Sequence, residues 1–83
     1  MPTVLRKAGF AVMIYTYDHL PMHVHVFHGG DEALFYLGND EEAPSLRENR
    51  GMKQATIRRA LHVVAKNQIY LIEKWREIHA QDE

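Results

Sequence analysis

Four of the six histidines in this 83-residue chain fall within ten positions, in the run His19-Leu20-Pro21-Met22-His23-Val24-His25-Val26-Phe27-His28. His23 and His25 are two apart, so on a β-strand their rings project from one face. Two imidazoles placed this way suit zinc or another borderline divalent metal, which binds ring nitrogen at about 2.0–2.1 Å. The pair is half a site. Catalysis needs a third protein ligand and a water, and His19 and Asp18 in the adjoining loop are the candidates. His28 is expected on the opposite face unless a bulge before Gly29 turns it. A cupin-like arrangement does not fit, because Glu32 lies seven positions beyond His25. Imidazole also does acid–base chemistry near neutrality, which makes histidine-driven RNA cleavage a second use of the cluster. A plain structural use competes with both, since neutral imidazole donates at one nitrogen and accepts at the other.

No other constellation is as pointed. The hydroxyls of Thr3, Thr16, Ser45 and Thr56 have no base at a telling spacing, and the glycines do not form a phosphate loop. The chain has no cysteine, which removes disulfides, thiolate metal sites and thiol nucleophiles. Arg47, Arg50, Lys53, Arg58 and Arg59 crowd one segment. Cations at a helix start oppose the helix dipole, so Arg50, Lys53, Arg58 and Arg59 are candidates for phosphate or nucleic-acid contact. The competing reading is neutralisation by the acidic loop Asp40–Glu42.

The elements that must carry these residues follow from periodicity. Gly9–Tyr17 is β-branched and aromatic and reads as a strand. His23–His28 reads as a second, with Val24 and Val26 facing the core and His23, His25 and Phe27 facing away. Gly29–Asp31 signals a turn, and Glu32–Gly38 a third strand. Ser45–Gly51 is a weaker fourth, with Leu46 its one apolar residue. Beyond Met52, Ile57, Leu61, Val64, Gln68, Leu71, Trp75 and Ile78 step by four and three, which is one stripe of a helix capped by Gly51. A straight helix over Lys53–Ala80 would run roughly 40 Å, twice a six-residue strand at about 20 Å. Either the helix bends near Lys66-Asn67-Gln68, or its overhang, with Tyr70 and Ile72, packs on a partner or a second copy. The expectation is one α+β domain over residues 1–83. It consists of a three- or four-stranded antiparallel meander over about 9–50 and a long helical segment over about 52–80, packed on the sheet.

The formal charge of −1 gives no global attraction to nucleic acid or membrane. No apolar run approaches the ~18–20 residues that span a bilayer, and the first ten residues lack a leader's apolar core. A cytoplasmic protein is expected.

The segments YDHLPMHVHV, EALFYL, LRENRGM, IRRALHVV and LIEKWREIHA together resemble a widespread bacterial family of small proteins classed as a domain of unknown function. Its signature is similar to His-Xaa-Pro-Pro-His-Val-His-Val, with a Trp near the end of a C-terminal helix. His19, Pro21, His23, Val24, His25, Val26 and Trp75 match; Met22 stands where a second proline is usual. The resemblance implies the toxin half of a toxin–antitoxin module, paired with a small cognate antitoxin. The resemblance carries no reaction with it; His23, His25 and His19 are the expected working surface, and RNA is the target that the histidine cluster itself suggests. A metal-dependent hydrolase and a non-catalytic interaction module are the alternatives.

Overall fold

The computed structural model describes residues 3–80. Five strands and two helices follow one another: β1 (Thr3–Lys7), β2 (Phe10–Met13), β3 (His23–His28), β4 (Asp31–Tyr36), β5 (Ser45–Arg50), α1 (Gln54–Lys66) and α2 (Gln68–His79). The strands form one antiparallel sheet in sequence order. Both helices cover one face.

Register makes that face apolar. Val12 lies opposite Val26, Val26 opposite Ala33, and Val24 opposite Phe35. With Phe10, Ile14 and Leu37 these residues are buried against Ile57, Ala60 and Val64 of α1 and Leu71, Ile72 and Trp75 of α2. Each large side chain so buried stabilises the fold by about 1.5–3 kcal/mol. No helix among the described residues is long and apolar enough to cross a membrane.

Three expectations need correction. The sheet has five strands rather than three or four. The missed one, β1, is an edge strand whose pairing with β2 shifts register between Thr3 and Leu5; its two apolar residues beside two cations give little period-two signal. The strand expected over Gly9–Tyr17 ends at Met13, because the Asp18 carboxylate accepts from Tyr15 N–H at 2.9 Å and Asp18 N–H returns to the Tyr15 carbonyl at 3.0 Å. Gly51 is not the helix cap. It has φ +106, a conformation suited to glycine, and a Cβ there would lie 2.7 Å from Asp31 Oδ1. Lys53 takes the cap position with no side-chain bond.

The helical segment is two helices, broken at Asn67 (φ −118, ψ 22). The Asn67 side chain donates to the Val63 carbonyl at 2.8 Å, which closes α1. Gln68, the one polar member of the apolar stripe, donates from Nε2 to the carbonyls of Leu37 (2.8 Å), Glu42 (3.0 Å) and Asn39 (3.1 Å). It therefore fixes the start of α2 on the β4–β5 connection. Thirteen residues of α1 span about 20 Å, the length of one strand, so the bend removes the overhang. Ile72 faces the core at 8 % exposure, while Tyr70 is 40 % exposed and donates its hydroxyl to the Val4 carbonyl. Ile72 is thus a core residue, not part of a docking strip.

Candidate metal centre

The centre forms where β3 begins. Its alternation sends His23 and His25 to one side, and their ring centroids lie 5.4 Å apart. The turn after β2 folds Asp18 back over them. Asp18 Oδ1 is 3.2 Å from His25 Nε2 and 3.5 Å from His23 Nε2. One donor atom from each of the three lies within 4.8 Å of the others. All three side chains are well covered, at 6 %, 5 % and 12 % exposure for Asp18, His23 and His25.

The other ring nitrogens fix where hydrogens sit. His23 Nδ1 donates to the Pro21 carbonyl at 2.9 Å, and His25 Nδ1 donates to Glu32 Oε2 at 2.9 Å. Neither oxygen can donate, so both Nδ1 atoms carry hydrogen. In the neutral rings both Nε2 lone pairs then aim at Asp18. Outward Nδ1–H bonds to a carbonyl and a carboxylate are the usual support for metal-binding histidines. Glu32 is itself held, since its Oε1 accepts from Arg50 at 3.3 Å, and Arg50 also binds Glu48 at 2.7 and 3.2 Å. These contacts hold the Glu48 carboxyl below, and the Arg50 guanidinium above, their ordinary ranges.

Aromatic rings wall the centre. Tyr15 meets His25 edge-on at 4.7 Å and stacks on Tyr17 at 5.3 Å. Burial, reinforced by Tyr17, Glu32 and Asp18, raises the Tyr15 phenol and keeps it protonated. Trp75 lies 5.5 Å from His23, and His79 stacks on Trp75 at 4.0 Å. A cleft of about 870 Å³ opens beside Asp18, with His19 and Trp75 in its lining.

Of the two candidates for third ligand, Asp18 meets the histidine pair, and His19 is exposed on the cleft. His28 lies away from the pair; its Nδ1 is 3.1 Å from the Gly9 carbonyl and its ring packs on Phe10. Arg50 joins the centre through Glu32, Lys53 begins α1, and Arg58 and Arg59 are exposed on α1, with Arg59 over Phe10 at 5.4 Å. Phe10 pairs with Lys7, at the end of the sheet away from the histidine pair.

Glu32, Tyr15 and Trp75 were not singled out for the site from the sequence. Glu32 had a readable signal. A two-residue Gly29-Gly30 turn sets His28 opposite Asp31, so Phe27 opposes Glu32, and Glu32 shares the His25 face. Trp75 had none, because its position depends on the bend at Asn67.

Comparisons with curated proteins and with solved structures return no match. The family model described as "Domain of unknown function (DUF4160)" matches residues 9–76, a span that contains Asp18, His23, His25, Glu32 and Trp75. With most of its length matched, this chain belongs to the DUF4160 family.

Proposed function

We propose that the chain is a metal-dependent hydrolase in which Asp18, His23 and His25 hold one divalent ion, zinc being well suited to this donor set. One observation carries the reading. Two imidazole lone pairs and a carboxylate oxygen converge, while both Nδ1 hydrogens are committed elsewhere. Acceptors so placed repel unless a metal ion or a proton sits among them, and one ion can serve all three at once where one proton serves a single pair. Two ligands at about 2.0–2.1 Å from one ion stand roughly 2.9–3.4 Å apart for bond angles between 90° and tetrahedral. The carboxylate–imidazole separations of 3.2 and 3.5 Å lie close to that range.

Three protein ligands leave a position open, as in catalytic rather than structural sites. A bound ion there supplies Lewis acidity and a more acidic water. The chain's own groups do the rest. Glu32 and the Pro21 carbonyl fix the two rings, neutral Tyr15 shields His25, and His19 on the cleft carries a proton to the leaving group. The test is turnover of 4-nitrophenyl phosphate, 4-nitrophenyl acetate and a short RNA by zinc-, manganese- or iron(II)-loaded protein against chelated protein. Turnover that needs metal and disappears in Asp18→Asn supports the reading; loaded protein inert towards all three overturns it.

The toxin-like role that the resemblance implies is a second reading, with RNA as target and a small antitoxin-like protein as partner. Ile69, 73 % exposed on α2, favours a protein surface there. Growth arrest on expression supports it, and arrest lost in His23→Ala/His25→Ala would tie it to the centre. Unimpaired growth with the wild-type protein would end it.

A further inference from the structure

The cleft beside the centre has a lining that limits what it can hold. Its volume of about 870 Å³ is within the range of roughly 300–1,000 Å³ typical of small-molecule sites. Leu20, Met22 and Trp75 supply apolar surface, and Asp18 marks the end next to the centre. Leu20 is 76 % exposed and stands in the lining of the cleft beside Met22. Trp75 is held in place by the His79 ring on one side and His23 on another. The fixed cation of the lining is Arg76, which makes no ion pair among the described residues. It stands one residue beyond Trp75, on the same turn of α2.

We infer that this cleft binds a small molecule with a flat apolar body and an anionic oxygen group, the body against Leu20, Met22 and Trp75 and the anion at Arg76. The choice follows from complementarity. An apolar body gains by covering Leu20, with the nearly buried Trp75 beneath it at 4 % exposure, and a guanidinium matches a carboxylate or phosphate in charge and in fork geometry. An uncharged body forgoes the guanidinium, and a bare anion forgoes the apolar wall. That the bond to be cleaved lies at the Asp18 end rests on the hydrolase reading; the binding itself does not.

Trp75 is the chain's single tryptophan, so its fluorescence reports occupancy directly. The titration uses phenyl phosphate, benzoate and phenol in turn, with the protein in excess chelator so that no metal holds the anion. A saturable Trp75 response is expected to phenyl phosphate, to benzoate, or to both, which also identifies the preferred anion. Phenol should bind at least roughly tenfold more weakly, and Arg76→Gln should weaken the anionic probes about tenfold while leaving phenol unchanged. No saturable response to either anionic probe overturns the inference, as does an Arg76→Gln protein that binds them like the wild type. Anion binding that survives in a protein unable to take up metal would leave this inference standing and remove the hydrolase reading alone.

Discussion

Replacing Asp18 by Asn should weaken metal binding while strengthening the metal-free fold. Asp18 Oδ1 faces two ring nitrogens at 3.2 and 3.5 Å whose hydrogens are used elsewhere, and its other oxygen accepts from Tyr15 N–H. An asparagine can keep the Tyr15 bond through its carbonyl oxygen. Its amide then turns two hydrogens towards the two lone pairs. One of the two separations is short enough for a good hydrogen bond, which contributes about 1 kcal/mol net. For a domain this size that is a rise of roughly 4–8 °C in Tm. Asp18→Ala has no such gain and loses the Tyr15 cap, so it should melt below the wild type by a similar amount. Adding zinc at 100 times Kd stabilises a binding protein by about 2.7 kcal/mol, or roughly 10–20 °C here. The wild type should show that shift and Asp18→Asn less than about a fifth of it. Thermal melts at about pH 8, in chelator and in zinc, read both quantities. Were Asp18→Asn in chelator to melt as low as Asp18→Ala, the three acceptors would not be in conflict, and the reason for placing a cation among them would be gone.

Other outcomes follow from the same contacts. Glu32→Ala frees His25 Nδ1 and should weaken zinc about 10–100-fold in a chelator competition, whereas Glu48→Ala, one step further out on Arg50, should leave affinity within about twofold. Gln68→Leu takes the side-chain donor from the Leu37 carbonyl, while the Asn39 and Glu42 carbonyls keep each other's backbone N–H, and should cost about 1–3 kcal/mol in denaturant unfolding; a neutral result would mean the apolar stripe alone holds the bend. Tyr15 has its folded pKa raised above the ordinary 10.0, chiefly by burial. Its stabilising contribution is therefore complete below about pH 10 and is lost as pH rises through the folded value. Between about pH 9 and 11 the wild type should lose more stability than Tyr15→Phe, as denaturant midpoints would record.

Much of the fold was readable because alternation and burial agree. Val24 and Val26 declare the inner face of β3, which forces His23 and His25 onto the other. Helix length against strand length required a bend or an overhang; Asn67 resolves that choice by closing α1 on the Val63 carbonyl, and Gln68 by bonding carbonyls distant in sequence. β1 was hidden because an edge strand with Lys and Arg has no second face to alternate against. The histidine pair was legible from local spacing and the place of Asp18 was open, because a loop's return path depends on its own hydrogen bonds. Trp75 meets His23 only after the helix has broken and folded back, so no local pattern announces it.

On the proposed reading, Asp18, His23 and His25 close around one ion. Calorimetric titration of zinc into chelator-stripped protein, with the metal content of the dialysed product measured afterwards, decides this. About one ion per chain is expected for the wild type, and none at the same concentrations for His23→Ala/His25→Ala. A wild-type protein that retains no metal, or a double variant that retains as much as the wild type, would contradict it.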